Sequence, residues 1–209
     1  MKDYSIGKTI GRTVGFFVIM SVICGVLYTG VCLGIGQLIF PYQANGSIIE
    51  VDADGDGVND SRYCMLLGQQ FEDDDHLWGR PTNYNLSTFT DDEGNPIAWA
   101  GASNLTPAGE EFEQLVAERV EKIREAHPEK GDEPIPSDLV TVSGSGLDPD
   151  ISPAAAEYQV ERLAKNTGKS ASEIREIIEA CTEQPTLGVL GDARVNVLKV
   201  NLMLDGVLS

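Results

Sequence analysis

Cations, histidine and cysteine are all scarce in this 209-residue chain. Lys and Arg total 15 against 33 Asp and Glu, a formal charge of −18. Nucleic-acid binding needs cations that displace the counterions of phosphates, so that function class is excluded. The only histidines are His76 and His127, and no HExxH pair is present to hold zinc. Four cysteines, none of them in a CxxC pair, are too few and too scattered for a disulfide scaffold or a cysteine zinc site. There is no GxxxxGK phosphate loop, which excludes ordinary P-loop ATP hydrolysis. The glycine-rich Ser143–Gly146 lacks the spacing of a hydrolase elbow. No Ser, His and Asp trio can be argued, and with so many acids a pair of carboxylates is at chance level. The chain reads as non-catalytic.

Charge itself is missing from one long stretch. Between Thr13 and Ile49 no side chain is formally charged, and Gly15–Phe40 is apolar apart from Ser21, Thr29 and Gln37. A hydrocarbon core of roughly 30 Å takes about 20 apolar residues as helix. This run exceeds that length, and it exceeds the apolar region of about 7–15 residues in a cleaved signal peptide. A retained single span is expected. Lys2, Lys8 and Arg12 precede it and the next basic residue is Arg62, so the N-terminus is expected in the cytoplasm and the rest outside. The expected division is 1–12 cytoplasmic, 13–40 transmembrane and 41–209 an extracytoplasmic domain. After position 40 there are 12 basic and 32 acidic residues, a charge of −20. That excess serves solubility and would concentrate cations near the membrane.

Small residues recur at every fourth position of the apolar segment: Gly7, Gly11 and Gly15, then Ser21, Gly25 and Thr29. Such spacing lets another membrane helix approach closely, so Gly15, Ser21, Gly25 and Thr29 are candidate packing positions. Cys24 and Cys32, inside the span, read as inert small hydrophobes.

The outer part reads as α+β. Ser47–Val51 and Arg62–Gly68 are expected as strands of a hairpin, and 71–107 as a long irregular stretch. Three helices follow. The first opens at Thr106-Pro107 and stops at His127-Pro128. The second runs from Ser152-Pro153 through Lys165 and is closed by Gly168. The third has a capping box, Ser170 with Glu173, and sets Ile174, Ile177, Ile178 and Cys181 on one face. The alternation in Arg194–Asp205 is expected to form a terminal strand.

Two weaker features complete the inventory. Asp52, Asp54, Asp56, Gly57 and Asp60 match the first nine places of a calcium loop, but the twelfth place is Tyr63 where a bidentate Glu belongs. A polar hairpin turn accounts for the same residues, so calcium is not expected. Cys64 and Cys181 lie where a disulfide can persist, and two buried thiols explain them equally well.

Several blocks in order resemble the C subunit of the bacterial potassium-transporting P-type ATPase, the Kdp system. They are Phe40–Ser47, Leu66–Phe71, Trp78–Pro81 with Tyr84-Asn85, Gly101–Pro107, Asp138–Lys165 and Val195–Asp205. The resemblance implies a single-pass subunit of the bacterial inner membrane. Its partners would be a potassium channel-like subunit and the P-type pump subunit that hydrolyses ATP, with no nucleotide or other cofactor bound by this chain with certainty. A second view of that family makes the subunit a catalytic chaperone that raises the pump's ATP affinity. A reading from another class is a membrane-anchored calcium-dependent binding module. Candidate partner or ligand positions are Gln43, Asn45, Trp78, Arg80, Ser143, Ser145, Asp148, Gln159 and Arg162. The pair Gln159 and Arg162, led into by the turn 143–150, would form a polar docking face or remain a solvated helix face. Arg80 would contact a partner or hold its own loop, and Trp78 and Trp99 would be interface residues or core. The Asp-rich turn and the run Asp73-Asp74-Asp75-His76 depart from the family pattern.

Overall fold

An uncharged apolar stretch satisfies its backbone most readily by bonding to itself, and residues 6–39 do so as one continuous helix. The computed structural model describes residues 5–52 and 56–208. The chain divides into two units, one up to Ile48 and one from Ile49 onward.

In the first unit, α1 (Ile6–Ser21) passes into a π-helical segment, Val22–Tyr28, and continues as α2 (Thr29–Ile39). The whole rod, Ile6–Ile39, is long and apolar enough to cross a membrane. The helix itself begins at Ile6, with Lys8 and Arg12 in its first two turns. It ends at Phe40, where φ is −127°. Pro41 disfavours helical backbone in the residue before it. A four-residue helix, α3 (Pro41–Ala44), follows.

The second unit is α+β. Its opening strands, β1 (Ile48–Val51) and β2 (Ser61–Cys64), form a two-stranded sheet. The strand expected to reach Gly68 stops at Cys64, and Met65 instead packs with Leu198 and Leu202 in a small apolar cluster. The stretch expected to be irregular holds a second hairpin, β3 (Tyr84–Thr90) with β4 (Pro96–Ala100), antiparallel and bulged between Asn85 and Phe89. It escapes a reading by periodicity because Phe89, Ile97 and Trp99 belong to neither buried cluster.

Thr106-Pro107 forms a turn, not the first turn of a helix. The helix α4 (Glu110–Ala126) begins after Gly109, with Glu110, Glu111 and Glu113 where the dipole favours acids. The expected single helix from Ser152 is two, α5 (Pro153–Tyr158) and α6 (Val160–Thr167), separated by Gln159. Ser152 caps α5 through the Ala155 amide at 3.2 Å. Gly168 closes α6 with φ of 72°, a left-handed position that glycine takes without strain. The capping box of Ser170 and Glu173 opens α7 (Ala171–Ala180).

The expected terminal strand is mostly helix. Only β7 (Arg194–Asn196) is extended, and it lies between β5 (Asp150–Ile151) and β6 (Thr182–Glu183) in an antiparallel sheet. Asn196 then caps α8 (Val197–Leu204) by accepting the Lys199 amide at 3.0 Å. Val197, Leu198, Val200, Asn201, Leu202 and Leu204 are all buried, so this helix is enclosed on most sides. Burial nearly all round erases the 3.6-residue period, and a short apolar run then mimics a strand. The main core gathers Leu77, Trp78, Ile123 and Val195 of β7 with residues of α5 to α8, including Leu163, Ile174 and Val200.

No disulfide joins Cys64 to Cys181. The Cys181 thiol is buried 3.4 Å from the Met203 sulfur, and burial pushes its pKa up.

Candidate functional site

The segment from Asp73 to Arg80 has no sheet ladder, yet Leu77 is fully buried and Trp78 nearly so. Buried amides must find partners, and here side chains from two helices supply them. Asn201 of α8 clasps Leu77 from both sides: its Oδ1 accepts the Leu77 amide at 2.7 Å and its Nδ2 donates to the Leu77 carbonyl at 3.0 Å. Gln159 does the same for Trp78, accepting the amide at 2.8 Å and donating to the carbonyl at 3.0 Å. Its second N–H goes to Ala155 O at 3.1 Å, and its oxygen also accepts Arg162 Nη2 at 2.8 Å. The break between α5 and α6 sits at Gln159 itself, whose φ of −93° and ψ of −6° leave α6 to restart beyond it.

Arg162 completes the cluster. Its Nη2 also donates to His76 O at 2.9 Å, its Nη1 to the carbonyls of Asp73 and Asp74, and its Nε to His127 Nε2 at 3.0 Å. A guanidinium has five N–H groups, and all five are used. The guanidinium also lies 4.6 Å from the centroid of the Trp78 ring. Burial pushes the Arg162 pKa down to about 10, so the group stays charged at neutral pH. Since Arg162 only donates, His127 Nε2 must accept, and its Nδ1 donates to Ile123 O at 2.8 Å. Burial is the larger cause that pulls the His127 pKa down; Arg162 adds to it, and the bond to Ile123 opposes it. The imidazole packs between Trp78 and Tyr158. His76 is held by Asp205 at 3.1 Å, which ties the same segment to the end of α8.

The structure therefore corrects the expected polar face. Gln159 is 0% and Arg162 2% exposed, and both spend their polar atoms inside the fold. Trp78 is core, whereas Trp99 is exposed on β4. Ala156, Val160 and Leu163 are buried on one side of α5 and α6, and Ala155, Gln159 and Arg162 on the other. No local sequence signal announces this, because Trp78, the partner of Gln159, lies 81 residues away in the irregular segment.

Arg80 holds its own neighbourhood. It donates to Thr141 O at 3.3 Å and Val142 O at 3.3 Å, and its Nη1 lies 3.5 Å from Asp148 Oδ2. The turn it supports closes on itself. Ser143 Oγ accepts the Gly146 amide at 3.0 Å, Ser145 Oγ the Leu147 amide at 3.2 Å, and Asp148 Oδ1 the Asp150 amide at 3.1 Å. Gly146 has φ of 74°, and a Cβ there would collide with the backbone of Asn83 and Gly101. So Ser143 is buried, Ser145 is exposed, and Arg80 and Asp148 are half-buried beside a cavity of about 340 Å³. Four aspartates line that cavity: Asp138, Asp148, Asp150 and Asp192. The first three accept bonds from Ser152 N, Arg80 and Arg194 respectively. Among the described residues no group of three or more acids, histidines or cysteines is arranged to hold a metal ion.

The remaining expected positions lie elsewhere. Asn45 donates to Pro41 O at 2.6 Å and to Gln37 Oε1 at 3.1 Å, pinning the turn that leaves the long helix, and Gln43 is exposed beside it. Gly15, Ser21, Gly25 and Thr29 are exposed along the rod. Of the calcium-loop residues, Asp54 lies outside the described residues. Asp52 accepts the amides of Asp56 at 3.1 Å and Gly57 at 2.8 Å, the local bonding of an Asp turn.

A long apolar helix joined to an α+β domain defines a single-pass, membrane-anchored protein. Residues 10–206 match the KdpC family, described as the c chain of the K+-transporting ATPase, and the chain belongs to that family. It is 51% identical over 194 residues to the potassium-transporting ATPase KdpC subunit of Clostridium botulinum strain Alaska E43, covering 92% of this chain and 93% of the relative. The KdpC subunit of Clostridium perfringens is 48% identical over 201 residues, 96% of this chain and 98% of that one. That of Herpetosiphon aurantiacus is 40% identical over 197 residues, 92% and 93% of the two chains.

Proposed function

We propose that this chain is a non-catalytic accessory subunit of an ATP-driven potassium uptake complex in the bacterial inner membrane. Its helix spans the bilayer with the N-terminus in the cytoplasm, and its domain stands outside. There it assembles and stabilises a channel-like subunit and the subunit that hydrolyses ATP. The observation that carries this reading is the saturation of the polar cluster: every donor of Arg162 and every donor and acceptor site of Gln159 is already bonded within the chain. A nucleotide or substrate would have to break those bonds in a dry core, where an unpaired polar group costs about 1–3 kcal/mol. Membership of the KdpC family supplies the complex to which such a scaffold would belong.

Orientation rests on the basic residues before the span and the charge of −20 after position 40. ATP would then act through the pump subunit alone. The chaperone reading would require nucleotide on the side of the domain, and the calcium-module reading would compete with the amides that Asp52 and Asp56 already accept. The test is detergent co-purification of the full chain from its native membrane. Recovery of both larger subunits is expected, and recovery of neither would overturn the reading. Measurable ATP binding by the full chain freed of the pump would overturn its non-nucleotide part.

A further inference from the structure

The β3–β4 hairpin exposes three large apolar side chains, Phe89, Ile97 and Trp99, on one side. Ile97 and Trp99 lie two residues apart on β4 and so share a side of the sheet. Phe89 is paired with Ile97 across the hairpin, which puts it on that side too. Phe89 is 50%, Ile97 46% and Trp99 45% exposed, and none belongs to either buried cluster. A two-stranded hairpin with such residues exposed is marginal in water, and exposed apolar patches mark interaction sites.

The tip is nonetheless built firmly. Asp91 accepts the amides of Glu93 at 3.0 Å and Asn95 at 2.7 Å as well as Asn95 Nδ2 at 2.9 Å. Gly94, with φ of 87°, makes the turn. A hairpin held this way loses little freedom on docking. Beyond the turn's own bonds, Asp92 and Glu93 project into solvent with no cationic partner among the described residues.

The rest of the domain, with 12 cations against 32 acids, has little positive charge to offer those acids. Eight of its cations, Arg62, Arg80, Lys122, Arg124, Lys130, Arg175, Arg194 and Lys199, already pair with carboxylates. Arg119 and Arg162 are spent on internal bonds, which leaves only Lys165 and Lys169 of the twelve. A complementary surface therefore has to bring its own positive charge. Anionic lipid headgroups are the wrong sign for the tip, and a second copy of this domain would set acid against acid.

We infer that the hairpin is a docking element for a companion protein subunit, inserting Phe89, Ile97 and Trp99 into an apolar slot rimmed by Lys or Arg that meet Asp92 and Glu93. Aromatic residues in such a face carry much of an interface's energy. This partner assignment rests on the subunit reading above.

The test uses the full chain co-expressed with the two larger subunits and co-purified in mild detergent. Phe89→Ser with Trp99→Ser is expected to lower recovery of the larger subunits by about tenfold or more. Asp92→Lys with Glu93→Lys is expected to lower it and to remove the salt sensitivity of the wild-type complex. Glu179→Lys, on the exposed side of α7, serves as the charge control and should recover as wild type. Because the hairpin lies outside the core, circular dichroism and Tm of both variants should match wild type, which separates lost docking from lost folding. Wild-type recovery by both hairpin variants would overturn the inference and leave the subunit reading standing. So would a loss of self-association or of vesicle flotation without loss of the larger subunits. Failure of the wild-type chain itself to recover them would overturn both.

Discussion

Gln159 and Arg162 show how much one polar side chain can do when it is buried. Each replaces a sheet ladder for an irregular segment that has none. Gln159→Leu keeps the volume but leaves the amide and carbonyl of Trp78 unpaired and Arg162 short of an acceptor. The expected loss is about 3 kcal/mol, read from denaturant unfolding of the full chain in detergent. His127 adds a dependence on acidity. It is held neutral in the fold, with Arg162, Lys130 and Glu129 as its charged neighbours and its pKa pulled below the usual 6.5. The unfolded chain therefore takes up the proton first as pH falls. Its contribution to stability is complete above about pH 6.5 and is lost progressively below it, down to the depressed folded value. A neutral substitute, His127→Gln, is expected to flatten the slope of Tm against pH between about 6.5 and 5. An unchanged slope would show that other groups set it.

Helix ends make the second scale legible. Ser170→Ala removes one side of a solvent-exposed capping box, and a loss of about 1 kcal/mol is expected in thermal unfolding. Asn196→Ala should cost about twice that. Asn196 caps α8 and also donates to Met65 O at 3.1 Å and to Asp150 Oδ1 at 3.2 Å. The capping box, the stop at His127-Pro128 and the Gly168 closure could all be read from sequence, because each is a local bond or a fixed dihedral. The long apolar span is legible for a different reason, since apolar length alone decides it. What escaped reading was set by distant partners. Arg194–Asp205 alternates like a strand because α8 is buried on most sides. The hairpin of Tyr84–Ala100 shows no period because Phe89, Ile97 and Trp99 meet no core. The polar pair of α5 and α6 was read as a surface because its acceptors are backbone carbonyls of residues 73–78, to which no sequence pattern points.

Across the whole molecule, charge separates what the helix joins. An impermeant amine reagent added to intact spheroplasts is expected to label exposed Lys165 and to reach Lys8 only after permeabilisation. The reverse pattern would invert the proposed topology. Within the domain, the clasp of Asn201 on Leu77 and of Gln159 on Trp78 has a kinetic counterpart. Those two amide hydrogens sit in a loop by shape, yet neither can meet solvent until α8 or α6 leaves the core. Their deuterium uptake should run at the rate of global opening, level with the slowest helical amides and far behind the hairpin tip at Gly94. A segment without regular structure would thus be among the last parts of the protein to open.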